Sequence, residues 1–258
     1  MKLKPKVTII TATYNSESSI FKTLESVSKQ SYQNIEHLII DGASIDSTVK
    51  ICNTFPHIHK IVSEPDKGIY DAFNKGILMS SGDIIGFLNS DDILYDSNSI
   101  QSIVNGFSNN VDSIFGNLII TDPNNRLVRK WQGSSFEKNS FKKGWKPAHP
   151  TFYCKRIVYE KYKNYNTTFK IAGDVELMLR FFEIYEISSK FIDVTLINMK
   201  TGGISNQGLK SKWIILKEEI RSFKMNQIKF NLLIFMFYKL KKLTAFILNH
   251  KIKLFAAK

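Results

Sequence analysis

The chain has 258 residues, 43% hydrophobic and 12% aromatic, which suffices for one large α/β domain with appendages or two small domains and excludes wholesale disorder. Its net charge of +13 is unevenly placed: no Asp or Glu follows Glu219, whereas Arg221 and eight lysines do, so nine of those thirteen charges fall after Glu219 and the body is left near +4. Cys52 and Cys154 sit in no metal-ligand spacing and make no disulfide framework, which fits a reducing compartment, and no uncharged apolar run reaches the ~18 residues of a membrane-spanning helix.

In chain order, "MKLKPKVTII" passes from lysines into a β-branched strand over Val7–Thr11, with no secretory apolar core. Ser16 or Ser18 can cap a helix whose Ile20, Leu24 and Val27 share a face. A second strand is predicted over Ile35–Ile40, a short helix from Asp46 or Ser47 to Phe55, and a third strand over Ile58–Val62. The loop "EPDKG" then leads into a helix over Ile69–Met79 that breaks at Ser81-Gly82. A fourth strand over Ile84–Leu88, a helix over Ser97–Phe107 and a strand over Ser113–Ile120 follow. Strands alternating with helices of this length predict βαβ units and a mostly parallel, doubly wound sheet. Beyond Thr121 the rhythm loosens into a hairpin turn at "DPNNRLVRKW" and a loop entering a strand at "FKKGWKPAHPTFYCKR". An amphipathic helix at "AGDVELMLRFFEIY" and a strand over Phe191–Met199 come next, and the chain is helical from Lys210.

The predicted strand ends carry the chemistry. They read Thr11-Ala12-Thr13-Tyr14-Asn15, Asp41-Gly42-Ala43-Ser44, Ser63-Glu64-Pro65-Asp66 and Asn89-Ser90-Asp91-Asp92. In open α/β sheets ligands bind at the carboxyl ends of strands, so all four are expected on one crevice. An acceptor such as Asp41 suits a base or ribose hydroxyl. Adjacent carboxylates suit a hard divalent cation that in turn holds a diphosphate. Asp91-Asp92 is equally readable as a solvated turn capping the next helix, and Asp41-Gly42 as an ordinary turn.

The stretches "PKVTIITATYNSESSIFKTLESVSKQSYQNIEHLIIDGASIDST", "EPDKGIYDAFNKGI" and "GDIIGFLNSDD", in that order, resemble a family 2 glycosyltransferase of the GT-A fold. More narrowly, they are similar to the bacterial enzymes that build O-antigen, capsule and other exopolysaccharides. The resemblance covers roughly residues 5–205. It implies a GT-A catalytic domain over 1–208, with a nucleotide-sugar half to about 120 and an acceptor half from about 121, followed by a helical tail over 209–258.

The resemblance also implies roles for residues. Thr11, Thr13, Asn15 and Asp41 line the nucleotide. Asp66, Lys67 and Gly68 through Asn74, Lys75 and Gly76 face base, ribose and sugar. The family's Asp-x-Asp falls on Asn89-Ser90-Asp91: the first acid is Asn here, whose amide can bond a ribose or sugar hydroxyl. Asp91 then becomes the main ligand of Mg2+ or Mn2+, and Asp92 supports it or contacts substrate. Asp174 matches the family's base, with Gly173 where many relatives carry Glu, and Glu176 is the second choice. His149 is expected at the diphosphate or acceptor, Trp131 and Trp145 are candidates to stack on a sugar face or equally to pack in the core, and "GGISNQG" (202–208) resembles a closing lid.

These readings predict an inverting, metal-dependent transferase moving sugar from a nucleotide-sugar, UDP favoured, to a glycan or polyprenyl-diphosphate-linked acceptor. The alternatives are an inactive sugar-nucleotide-binding scaffold and a sugar-1-phosphate nucleotidyltransferase. The latter wants a basic Gly-rich loop that "TATYNSESS" lacks. The lysine-rich tail reads as a basic amphipathic helix on an anionic membrane surface, placing the protein on the cytoplasmic face of the plasma membrane, with solvated lysines on a packed helix as the alternative. Nucleic acid is not an expected partner, because the positive charge is interleaved with apolar residues and no recognition motif is present.

Overall fold

The computed structural model describes residues 4–108, 110–202 and 208–241; positions 203–207 of the expected lid and 242–258 of the expected tail lie outside the described residues. The first β-branched run forms β1 (Val7–Thr13), buried at every position. Burial on both faces explains why it reads as continuous rather than alternating. β1 lies in mid-sheet, parallel to β2 (Ile35–Asp41) and, on its other side, to β4 (Ile84–Phe87), while β3 (Ile58–Ser63) extends the sheet beyond β2. The connections are α1 (Ile20–Ser28), α2 (Thr48–Cys52) and α3 (Ile69–Met79), the last with the predicted bounds.

After β5 (Ile93–Leu94) and α4 (Ser99–Gly106) come β6 (Ser113–Thr121), β7 (Leu127–Trp131), β8 (Tyr153–Lys155), α5 (Arg156–Tyr162), α6 (Gly173–Leu179) and β9 (Ser189–Lys200). The described strands make one sheet in the order β3-β2-β1-β4-β8-β6-β9-β5, with β7 paired to β6. β8 runs antiparallel to both β4 and β6, so the sheet is mixed but mostly parallel. The two-residue β5, the seven-residue α5 and a π-helical turn over Arg180–Ile184 are too short or irregular to show in the sequence pattern.

Alternation along β1 sends Val7 and Ile9 to one face of the sheet and Ile10 and Ala12 to the other. Val7 and Ile9 join Val27 of α1 and Ile100 and Ile103 of α4. Ile10 joins Phe73 of α3, Tyr159 of α5, and Leu177 and Phe181, which lie on and just beyond α6. The expected boundary at 208/209 is not a packing boundary. The helix α7 (Gly208–Met225) packs on α6. Beyond it, Asn231 Oδ1 accepts the N–H groups of Leu233 and Ile234 and opens a helix over 232–241. Phe223 and Phe235 are each 2% exposed and belong to the main core cluster. No described helix is long and apolar enough to cross a membrane.

Candidate active site

Because β1, β2, β3 and β4 are parallel, their carboxyl ends share one edge, and side chains stitch those ends together. The Asn15 N–H donates to Ser44 Oγ at 2.8 Å, while Asn15 Oδ1 accepts the Ile45 N–H at 3.0 Å. Ser16 Oγ lies 2.8 Å from Ser90 Oγ, which ties the end of β1 to the acidic turn after β4. Asp66 folds over Gly42: a Cβ there would stand 2.8 Å from Asp66 Oδ2 and 3.4 Å from the Tyr14 ring. Asp41, Asp66 and Asp91 therefore belong to one rim, floored by backbone at Gly42.

Within that rim the polar residues divide. The buried Thr13 hydroxyl finds no partner among the described residues, which leaves it available to a ligand. Asp41 is buried and accepts from the Ser44 N–H and hydroxyl and from the Ser63 hydroxyl. A carboxylate offers about four lone-pair sites, so little of Asp41 remains for a ligand, and it chiefly shapes its loop. Asp66 Oδ1 accepts the Gly68 N–H, and Gly68 takes a φ of 112°, a conformation that favours glycine. Lys67 is exposed at the rim, its N–H bound to Asp71. Tyr14, 62% exposed beside Gly42, went unrecognised in the sequence although an exposed aromatic at a strand end is itself a signal.

Three expected nucleotide ligands are committed elsewhere. Thr11 is fully buried, its hydroxyl 3.0 Å from His37 Nε2, because the extra residues of β1 place it inside the strand rather than at its end. Both ends of the Asn74 amide bond the backbone of Tyr165, so Asn74 clamps α3 to the distant loop. The Lys75 ammonium holds Glu64 at 2.8 Å and the Pro65 carbonyl at 3.0 Å, and its pKa is raised chiefly by the hydrogen bond to Glu64.

The acidic turn is electrostatically unsatisfied. Asp92 is 1% exposed, and burial, then the charge of Asp91, pushes its pKa well above the carboxylate range. Its carboxylate accepts the Asn89 amide at 3.0 Å, so Asp92 holds Asn89 in place. Burial also raises half-buried Asp91. Asn89 Oδ1 is buried without a partner among the described residues. No group of three or more His, Cys, Asp or Glu side chains able to hold a metal ion forms among the described residues. A carboxylate and an orphaned amide oxygen nevertheless make a hard-oxygen donor pair that suits Mg2+ or Mn2+ completed by phosphate and water.

Asp174 lies in the first turn of α6. The capping position of this helix is Ala172, which makes no side-chain cap. The N–H groups leading into α6 are instead taken by Glu218 of α7, which accepts from Lys170, Ile171 and Ala172 at 2.7–2.9 Å. Arg221 bonds Thr168 on the same loop. Tyr70 of α3 donates its hydroxyl to the Ile171 carbonyl at 2.6 Å and accepts the Gly173 N–H at 2.8 Å. Asp174 thus has no capping duty, and Tyr70 Oη stands 3.5 Å from its Oδ1. A Cβ at Gly173 would sit 2.7 Å from the Tyr70 ring, which favours glycine at this position. Glu176 is not a second base: it is buried and bonded to Arg180 at 2.9 Å.

His149 is not a diphosphate ligand. Its ring stacks against Phe73 and Phe87, with Nε2 2.7 Å from the Tyr165 hydroxyl, and burial lowers its pKa so that it stays neutral. Trp145 packs in an aromatic cluster with Phe115, Phe136 and Phe182 and donates Nε1 to Ser134, rather than standing free for a sugar. Trp131 lies under Arg129 on β7. Lys146, which no local pattern singled out, pairs with Glu219 at 3.1 Å; burial opposes its charge, but Glu219 and then Asp174 outweigh it and raise its pKa. Tyr70→Phe leaves a buried N–H and a buried carbonyl short of their partner, and we expect a stability loss of about 1–3 kcal/mol by chemical denaturation.

The sequence pattern of glycosyl transferase family 2 matches residues 8–171. A PGL/p-HBAD biosynthesis glycosyltransferase of Mycobacterium bovis (strain BCG / Pasteur 1173P2) is 26% identical over 210 residues, 78% of this chain and 80% of that one. An uncharacterized glycosyltransferase of Mycobacterium tuberculosis H37Rv is 33% identical over 188 residues, 70% of each chain. In fold, the chain is similar to S. aureus TarS 1–349 in complex with UDP-GlcNAc (TM-score 0.63, 16% identity, 84% of this chain and 72% of that one), though it spans only 43% of the longer TarS chain. It is also similar to the mannosyltransferase PcManGT of Pyrobaculum calidifontis in complex with GDP-Man and Mn2+ (TM-score 0.64, 16% identity, 89% of this chain and 66% of that one).

Proposed function

The chain belongs to glycosyl transferase family 2 and has the GT-A fold, and on that premise we propose that it transfers a sugar, with inversion, from a nucleotide-sugar to a hydroxyl of a growing cell-surface glycan of the O-antigen or capsule kind. The observation that carries this reading is Asp174: a half-buried carboxylate at the start of α6 whose capping work is done by Glu218 and Tyr70.

Tyr14, Thr13, Asp66 and the Gly42 floor receive the base and ribose, with Asn15 and Asp41 fixing the loops around them. A divalent cation held by Asp91 and Asn89 supplies, when bound, neutralisation of the diphosphate charge. The acceptor hydroxyl attacks the anomeric carbon from the Asp174 side. As the new C–O bond forms, the bond from the anomeric carbon to the diphosphate oxygen breaks and the nucleoside diphosphate leaves. The hydroxyl proton passes to Asp174. A carboxylate at the second position of α6 with no capping duty suits this task. Lys146 stands near Asp174 as a fixed positive charge.

UDP is the favoured nucleotide, and a polyprenyl-diphosphate-linked glycan at an anionic membrane surface is the favoured acceptor. The test is a melting-temperature screen with UDP, GDP, CDP and dTDP, each with and without Mn2+. We expect a rise of several degrees, dependent on the metal, for UDP alone. Equal responses to all four, or none, would contradict a nucleotide-selective donor site.

A further inference from the structure

The 232–241 helix turns Lys239 inward and several large apolar side chains outward. Its inner face carries Phe235, which is 2% exposed, and Lys239 one turn later, which is ion-paired with Glu219. Its outer face carries Leu233, Phe237 and Leu240, which are 81%, 62% and 56% exposed. The spacing of four and three residues puts these on one stripe. A surface helix of a water-soluble domain shows the reverse arrangement, and a contiguous apolar stripe needs something to cover it.

Charge decides what covers it. After Glu219 the chain has no acid, and Lys224 and Lys229 are both exposed near the stripe in sequence. A second copy of the same basic surface would meet it with like charge. An anionic lipid surface matches both the cations and the apolar stripe. We infer that the outer face of the 232–241 helix is a docking surface for an anionic bilayer, with Leu233, Phe237 and Leu240 entering the interface.

The inner face says what this docking achieves. Phe235, Phe223, Trp145, Lys146 and Val175 line one shallow pocket, and Val175 follows Asp174 in α6. Only the thickness of one helix, about 10–12 Å, therefore separates the bilayer surface from the segment that carries Asp174. Lys239 and Lys146, both partly buried, link the two through the buried Glu219. Docking thus holds the acceptor flank of the cleft against the membrane, where a hydroxyl close to a lipid headgroup can reach it. This consequence rests on the glycosyltransferase reading; the docking face does not.

The test uses the full chain and two kinds of vesicle, phosphatidylcholine alone and phosphatidylcholine with phosphatidylglycerol. Wild type is expected to float with the anionic vesicles, and the double variant Leu233→Glu, Phe237→Glu to bind them about tenfold less or worse. The variant should keep its melting temperature and its shift with nucleoside diphosphate, since both side chains are exposed. A fluorophore on Phe237→Cys should brighten on anionic vesicles. The inference is overturned by a wild type that does not float, a double variant that floats equally well, a silent label at 237, or sedimentation showing that the stripe joins two copies instead. Loss of the nucleotide shift in wild type would count against the donor-site reading alone.

Discussion

Asp174→Asn is expected to lower kcat about 10²–10⁴-fold while leaving donor affinity within about twofold of wild type, the range that general-base catalysis contributes. The substitution is nearly isosteric and keeps the contact with Tyr70, but the amide does not accept a proton. The start of α6 is secured independently, by the bonds from Glu218 to residues 170–172 and from Tyr70 to residues 171 and 173. The variant should therefore fold normally, and the loss should fall on turnover rather than on stability. Steady-state transfer assays beside calorimetric donor titration separate the two. Unchanged turnover removes Asp174 from the mechanism. Equal loss of binding and turnover makes it a donor ligand instead. Glu176→Gln provides the contrast, because breaking a buried pair with Arg180 should reduce stability first.

Asp91→Asn should act in opposite directions on two observables. Activity should fall by about 10²–10³-fold, the cost of removing a preorganised group that supports developing charge, and Mn2+ should cease to raise the melting temperature. Metal-free stability at neutral pH should rise. Burial raises Asp91, and burial together with Asp91 raises Asp92, so the folded protein holds these protons to higher pH than the unfolded chain does. With more protons bound in the folded state, stability falls as pH rises from the ordinary carboxylate value toward the raised ones. Removing one acid relieves this, as does a bound cation. In wild type the Mn2+-induced rise in melting temperature should accordingly grow with pH through that window. A metal-free Asp91→Asn variant less stable than wild type at pH 7 contradicts this view of the turn.

The βαβ frame was legible because it depends on local patterns. Ile20, Leu24 and Val27 recur at helical spacing and are all buried, and α3 runs over Ile69–Met79 as predicted. The shared rim followed from parallel strands ending in polar residues. What misled was polarity serving long-range structure. The family resemblance implies a ligand role for Asn74, yet it bonds Tyr165, ninety-one residues away. Lys75 and His149, also expected at the ligand from the resemblance, serve an ion pair and an aromatic stack respectively. Glu218 and Tyr70, which secure the segment carrying Asp174, were invisible because nothing near either residue announces a partner in another element. The C-terminal segment was seen to be amphipathic, but which face turns inward is decided by Glu219 drawing Lys239 to the body, and no helical wheel contains that.

The proposed transfer requires one cleft in which the ends of β1, β2 and β4 face Asp174 at the start of α6. A crystal structure with UDP and Mn2+ tests it most directly. The account predicts the uracil beside Tyr14 and Asp66, the diphosphate at Asp91 and Asn89, and Asp174 facing the far side of the position that the anomeric carbon occupies. A diphosphate bound away from Asp91, or a wall of protein between it and Asp174, would contradict it.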